Sequence, residues 1–484
     1  MKPYRIVIFI FSVIACLALM AAFFPEEGLK VGKTVIRFPS LEQIMTREEP
    51  AAKVEDLLVR IDTVLQQEKL KEQEDTVSYY KEILSTHPAR FYVPRGDETF
   101  FDSFFEKLES AVTQEKIIRI LHYGDSQIEM DRISSDLRSF FQSRFGGGGP
   151  GLLPLVQTIP TPSVYQQATG EMSDYALYGT GLRTNTRNYG LMARFYRVSG
   201  TVAFSVSAAN NTKIDKRLQK FSDIKLLYSS QSSEFSATLK DRNTRQEYKQ
   251  TSECAGLQLF HWHLDTPMHR FTVTFHGPAD IYGIMVDDGY GVNVDNIPIR
   301  GSSGTFFSQI QDSLLGRMYE MADVGMIVLQ FGGNSVPGIS SEKGVESFKS
   351  RIASQIRYLR KAYPSAKIVF IGPSDMSTRV GGVLQTYPRL PQIIEALKLA
   401  ALENGAAFWD MYDVMGGHNS MITWVKNGYA VNDYIHFTPA GASLIGKTLS
   451  DSFSVMYDFY RTRKNMSLEA VINSAGDGKN PESP

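Results

Sequence analysis

The sequence predicts an α/β protein: a three-layer domain built on a parallel β-sheet, with a β-sandwich or jelly-roll module inserted into it and a transmembrane helix ahead of it. Three observations predict this. Short apolar runs alternate with amphipathic stretches on both sides of residues 156–284, the rhythm of a parallel sheet covered on two faces. Within 156–284, short alternating segments are separated by Asn, Ser, Gly and Asp clusters, as in antiparallel all-β modules. At the start, Lys2 and Arg5 precede an apolar run from Ile6 to Phe24 interrupted only by Ser12.

That first run has the length to cross a hydrocarbon core of ~30 Å at about 1.5 Å per residue. Positive residues before it keep the start inside and export the rest. Ala21 and Ala22 lead straight into Phe23, Phe24 and Pro25, a poor cleavage site, so residues 1–24 read as an uncleaved signal anchor rather than a cleaved signal peptide. Val13-Ile14-Ala15-Cys16 has a lipoprotein-like shape, but apolar residues continue past Cys16. Residues 25–97 read as a stalk and leading arm, with a strand-like piece at Thr34–Phe38 and a helical stripe of Leu57, Leu58, Ile61 and Leu65 between Val54 and Glu72.

The α/β pattern begins at about residue 98. Phe100 to Val112 reads as a helix, Ile117 to Leu121 as a buried strand, and Arg132 to Phe145 as a helix stopped by Gly146–Gly149. From 156 to 284 come the alternating segments Met192–Tyr196, Val202–Val206, Ile224–Tyr228, Phe235–Leu239, Leu257–Phe260 and Phe271–Phe275. From 285 to 465 the α/β rhythm returns. Met326–Phe331, Lys367–Gly372 and Ala406–Trp409 read as strands; Val345–Ala362, Gln392–Glu403 and Ala440–Tyr457 read as helices. Residues 466–484 are rich in Gly, Pro, Ser and Asn and read as a disordered tail.

The totals narrow the function. Among 484 residues, 43% are hydrophobic, enough for more than one core. The 51 Lys and Arg balance 52 Asp and Glu, which argues against a nucleic-acid binder, since neutralising phosphates needs a basic excess. The two cysteines, Cys16 and Cys254, give no disulfide framework.

In an open parallel sheet, chemistry gathers at the carboxyl ends of the strands. Four segments fall there. Gly124-Asp125-Ser126-Gln127 places a hydroxyl just past a buried strand and before a helix, where backbone N–H groups converge. The bland alternative is a turn with serine as helix cap. Arg300-Gly301-Ser302-Ser303-Gly304 follows a strand-like run, and its glycines let a backbone N–H approach a ligand or simply form a tight turn. Gly332-Gly333-Asn334-Ser335 offers a neutral amide donor, or a cap. Asp433-Tyr434-Ile435-His436 sets a carboxylate three positions before an imidazole, which suits a serine's base and its orienting partner, or is a chance surface pair.

Taken together, in this order and at these places, the four segments resemble the blocks of the SGNH (GDSL-type) hydrolase superfamily. The resemblance implies a flavodoxin-like three-layer fold, Ser126 as nucleophile, His436 as base and Asp433 as its acidic partner. It implies an oxyanion hole from Ser126, Gly304 (preferred to Gly301) and Asn334. A narrower likeness is to bacterial peptidoglycan O-acetylesterases. It rests on Gly124-Asp125-Ser126 with Asp131, Leu137 and the Gly146–Gly151 run, then Phe408-Trp409-Asp410-Met411, Met415-Gly416-Gly417, Ser420-Met421, Trp424 and Asn427-Gly428 leading into Asp433 and His436-Phe437. It covers roughly Phe100 to Asp458. In those proteins a β-rich module resembling a carbohydrate-binding domain interrupts the hydrolase domain. Two departures bear on substrate: Gln127 stands where that group often has His, and Gly-Gly-Asn-Ser replaces its common Gly-Thr-Asn-Glu.

The expected activity is removal of O-acetyl groups from a cell-envelope carbohydrate, with no cofactor and no metal, in a protein held in the bacterial inner membrane with its catalytic part in the periplasm. Two rivals share the sequence: an O-acetyltransferase using the same triad, and a non-catalytic glycan-binding protein. Other candidates weigh less. His261 and His263 alternate on a strand near His269 and read as surface residues before metal ligands. Asp287, Asp288 and Asp295 lack the spacing of a Ca²⁺ loop. The Gly146–Gly149 run lacks a phosphate-loop ending and reads as a flexible connection near the cleft. His418 and Trp424 read as lining an acceptor site, with core packing the alternative for Trp424.

Overall fold

The computed structural model describes residues 29–31, 34–36, 76–209, 215–231 and 234–476. The expected membrane segment 1–24, the helix at 54–72 and residues 477–484 lie outside these. Among the described residues, no helix is long and apolar enough to cross a membrane. The chain divides into units of residues 1–70 and 71–484. In the first, β1 (Leu29–Val31) and β2 (Thr34–Ile36) pair antiparallel.

The second unit opens with α1 (Thr76–Thr86), β3 (Phe91–Tyr92) and α2 (Asp102–Gln114). Residues 76–97 therefore correct the expected stalk. Strand β3 is the edge of the main sheet, because Phe91 packs its ring against Phe101 and Phe453 and the Trp409 indole donates to the Ala89 carbonyl at 2.9 Å. A two-residue strand is too short to show a period in sequence.

Next come β4 (Ile117–Gly124) and α3 (Ser134–Phe145). The antiparallel module follows: β5 (Gly151–Leu153), β6 (Val164–Ala176), β7 (Arg194–Ala208), β8 (Phe221–Ser230), β9 (Ser236–Asp241), β10 (Glu247–Thr251), β11 (Gly256–Met268), β12 (Arg270–His276) and β13 (Ala279–Asp287). Strand β5 pairs with β13, so the module reaches beyond the expected 156–284 at both ends. All nine strands share one hydrogen-bonded sheet. Residues expected as two strands, around Met192–Tyr196 and Val202–Val206, are one long β7, which pairs with β13 over its first part and β12 over its second. The sheet folds over a core of its own. Phe235 beside β9 and Phe260 on β11, from opposite ends of the strand order, bring their rings to 5.8 Å.

The α/β part resumes with β14 (Gly291–Pro298), α4 (Asp312–Met321), β15 (Val324–Gln330), α5 (Glu342–Ala362) and β16 (Lys367–Ile371). A hairpin of β17 (Ser377–Val380) and β18 (Val383–Thr386) precedes α6 (Leu390–Glu403), β19 (Ala407–Trp409), α7 (Met411–Val414), α8 (Ser420–Lys426) and α9 (Pro439–Gly476). Helix α9 runs to Gly476, which corrects the disordered tail expected from 466; Arg463 on it pairs with Asp102 at 2.6 Å.

The main sheet has the order β14-β4-β15-β16-β19-β3, parallel throughout except β3. Strand β15 is buried along its whole length, as a strand covered on both faces must be. One apolar cluster fills each side of the sheet. The Gly146–Gly149 run corrects the expected flexible connection. A Cβ at Gly147 would lie 2.8 Å from the Val292 carbonyl oxygen and one at Gly149 2.4 Å from that of Val286, so the glycines permit close backbone packing.

Buried ion pairs join the two parts. Arg119 on β4 binds both Asp295 on β14, at 2.9 Å, and Asp287 on β13. These aspartates, with the turn at Gly289, therefore serve the junction. His261 and His263 both reach Asp223 Oδ2, at 2.6 and 3.1 Å, and His269 bonds the Gln219 carbonyl.

Candidate active site

Strands β14, β4 and β15 lie side by side, with β4 between the other two, so their carboxyl ends bring three of the four segments together. Strand β4 ends at Gly124. Asp125 caps the following 3-10 turn, Ser126–Asp131, by accepting the Gln127 N–H at 3.0 Å. That cap holds Ser126 at the mouth of the sheet.

The fourth segment arrives from the loop before α9. Ser126 Oγ lies 2.8 Å from His436 Nε2, and His436 Nδ1 lies 2.7 Å from Asp433 Oδ2. The other Asp433 oxygen accepts the N–H groups of Ile435 and His436 at 2.9 and 3.0 Å. Partial burial pushes the Asp433 carboxyl upward, but the backbone and ring bonds from His436, with the Ile435 N–H, outweigh it and hold it below the usual carboxylate range. A charged Asp433 takes the Nδ1 proton as its donor and leaves the Nε2 lone pair facing the serine hydroxyl. The serine can thus give up its proton, and the carboxylate can stabilise the imidazolium that results.

Asn334 stands across the same cavity. Its Nδ2 donates to the Ser302 carbonyl at 3.0 Å and to Asp125 Oδ2 at 3.1 Å. Burial pushes the Asp125 carboxyl up to about 6, against the lowering effects of the Gln127 N–H, His436 and Asn334. Ser335 Oγ bonds Ser303 Oγ at 2.8 Å, stitching the second segment to the third.

Gly304 is placed differently from its expected role. Its N–H is donated to Ser302 Oγ at 3.1 Å, and it is not among the residues lining the cavity beside Ser126. With φ of +77° and a Cβ position 2.8 Å from the Phe331 ring, it is a glycine because of turn geometry and packing. Gly301, also at positive φ, has open space around it. Trp424 is buried, packs its ring at an angle against Tyr429 and Phe437, and donates to the Met415 carbonyl, so it braces the loop that carries His436. His418 is exposed, and neither it nor Trp424 lines the cavity.

The cavity is about 170 Å³ and is lined by Ser126, Gln127, Asn334, Met376, Ile435 and His436, among others. A second cavity, about 310 Å³, lies where the inserted module meets the main sheet, with Glu129, Met130 and Arg300 on one side and Tyr178, Met192 and Arg194 on the other. The turn Ser126–Asp131 contributes to both. Arg300 grips Glu129 with two bonds of 2.6 Å.

Sequence reasoning gave no role to Asp125 or Asp375, and it marked Gln127 only as a departure bearing on substrate. Asp375 is buried and accepts from Thr386 Oγ1 and the Met421 N–H, both at 2.8 Å, tying the hairpin to α8.

Residues 273–444 match the GDSL-like lipase/acylhydrolase family. A solved peptidoglycan O-acetylesterase is similar in fold, with a TM-score of 0.60 at 20% identity, covering 74% of this chain and 96% of its own. A family two carbohydrate esterase from Cellvibrio japonicus aligns at a TM-score of 0.24 and 10% identity, over 61% of this chain and 99% of its own. One from Clostridium thermocellum aligns at 0.24 and 9%, over 55% and 95%. No curated protein matches in sequence. Residues 273–444 are thus similar to the GDSL-like lipase/acylhydrolase family, and the chain shares its fold with a peptidoglycan O-acetylesterase.

Proposed function

We propose that the chain removes O-acetyl groups from a cell-envelope carbohydrate by way of a Ser126–His436–Asp433 triad. The observation that carries this reading is the unbroken chain of contacts, 2.8 Å and then 2.7 Å, from the serine hydroxyl through the imidazole to the carboxylate. Ser126 Oγ attacks the acetyl carbonyl carbon and its proton passes to His436 Nε2. The tetrahedral oxyanion takes hydrogen bonds from the Ser126 N–H and from Asn334, whose second amide hydrogen turns from Asp125 to the oxyanion. The C–O bond to the sugar breaks, and His436 returns the proton to the sugar oxygen. Water, deprotonated by His436, then releases acetate and restores Ser126.

Two features support hydrolysis of a glycan ester. The side chains of His436 and Asp433 are 36% and 44% exposed, so water has access to an acyl-enzyme. The larger cavity mixes Tyr178 and Met192 with Arg194 and Glu129, a surface suited to sugar rings and hydroxyls. For location, the run Ile6–Phe24 behind Lys2 and Arg5 supports an inner-membrane anchor with the catalytic part in the periplasm.

The test uses the purified full-length protein in detergent with an O-acetylated glycan, alongside a 4-nitrophenyl acetate control. Acetate release that disappears in Ser126→Ala is the expected result. Acetyl transfer to an added oligosaccharide in place of acetate release, or turnover that survives in Ser126→Ala, overturns the reading.

A further inference from the structure

The catalytic imidazole sits on an exposed loop, and such loops hold geometry poorly unless something pins them. His436 hangs between the peptide carbonyl of Ile435 and the peptide N–H of Phe437. Both groups are bonded to one side chain. Gln127 Nε2 donates to the Ile435 carbonyl at 2.7 Å, and Gln127 Oε1 accepts the Phe437 N–H at 3.3 Å. Gln127 is itself buried, and Asp125 fixes its backbone through the 3.0 Å cap. The residue next to the nucleophile in sequence therefore grips the residues on either side of the base, which lie more than 300 positions away.

The geometry points to Gln127 as a positioning residue that sets the distance between Ser126 and His436. This rests on the reading above, in which His436 is the base. An amide is suited to the task because it offers one donor and one acceptor on a single planar group. A carboxylate has no donor for Ile435, and a thioether has no strong partner for either group. Asp433 holds the ring from the far side and sets its tautomer, whereas Gln127 holds the main chain from which the ring projects. The Gln127 amide bonds the main chain of Ile435 and Phe437, so its effect on the reaction passes through His436.

Three variants in the full-length protein test this: Gln127→Met, which keeps the volume and loses both bonds; Gln127→Glu, which keeps only the acceptor; and Ser126→Ala as the control for the activity itself. With 4-nitrophenyl acetate, Gln127→Met is expected to lower kcat roughly tenfold to a hundredfold, since small misplacements of catalytic groups cost about that much. KM should stay within about threefold, because Met keeps the volume that Gln127 fills in the cavity wall. Gln127→Glu is expected to fall between Gln127→Met and the parent. The acid limb of the kcat/KM profile should move in Gln127→Met, because it reports the Ser126–His436 contact that the substitution loosens. Circular dichroism and the thermal midpoint identify a variant that fails to fold, in which case Gln127→Glu alone carries the test. If the parent turns over, Ser126→Ala does not, and a folded Gln127→Met matches the parent in both kcat and pH profile, the positioning role is wrong while the esterase reading stands. If Ser126→Ala keeps the parent's rate, the esterase reading itself fails.

Discussion

Ser126 and His436 are separated by 310 positions in the chain and by 2.8 Å in the fold. That proximity is what a serine nucleophile requires, and it yields the first prediction. Ser126→Ala and His436→Ala should abolish release of acetate. Asp433→Asn should leave the fold intact and lower kcat by roughly 10²- to 10⁴-fold, because the amide no longer fixes the Nδ1–H tautomer. Steady-state kinetics on the three purified variants decide the point; an Asp433→Asn enzyme with parental kcat contradicts the triad.

Asn334 supplies the second prediction. Its amide hydrogens are held by the Ser302 carbonyl and by Asp125, and an oxyanion has to compete with Asp125 for one of them. Asn334→Ala should lower kcat by about 10²–10³-fold, the usual cost of one oxyanion donor. KM should change little. A loss below fivefold means that Asn334 only braces the Ser302 turn.

Gly304 is predicted to matter for folding more than for chemistry. In Gly304→Ala the new methyl meets the Phe331 ring at 2.8 Å on a backbone at φ +77°. Strain and overpacking together should cost about 2–4 kcal/mol. Urea denaturation measures the loss, and activity per folded molecule should stay within about threefold of the parent. A stable but inactive variant restores Gly304 to the oxyanion hole.

Arg119 pairs with both Asp287 and Asp295 where the two sheets meet, and all three side chains are almost wholly buried. Arg119→Met leaves two carboxylates buried without their partner, which should cost about 3–5 kcal/mol. The urea midpoint reports this. Limited proteolysis should show cleavage appearing first near β5 or β13, the strands of the inserted module that the pairing tethers.

His122 makes stability depend on pH. Burial lowers its pKa to about 4, against the raising effect of its bond to Gln330. It is neutral in the fold, bonding Gln330 Oε1 at 3.0 Å and Ser134 Oγ at 2.9 Å. Between about pH 6.5 and 4 the unfolded chain takes up a proton that the folded chain refuses, so stability falls as pH falls through that window. Above 6.5 the contribution is complete. The loss across the window is on the order of 3 kcal/mol. Asp125, raised to about 6, acts with the opposite sign between its unfolded pKa and 6. The difference between the stability curves of the parent and of His122→Gln isolates the histidine; two parallel curves would refute it.

The sequence by itself determined the elements whose signal is local and repeated. Apolar runs such as Met326–Leu329 give buried parallel strands, and the two-residue alternation of Phe271–Phe275 gives an antiparallel one, because burial on one or two faces imposes those periods. It also placed Ser126, Asn334, Asp433 and His436 at strand ends or in a late loop, since the residue types that serve acyl chemistry are few. Tertiary structure alone decided what depends on distant partners. The two-residue β3 joined the main sheet through Phe91 and the Trp409–Ala89 bond, and two short strands merged into β7. It also turned the Gly304 N–H toward Ser302 and set Gln127 against the His436 loop. No local pattern records which buried donor meets which acceptor across hundreds of positions; that is fixed only when packing has closed off the alternatives.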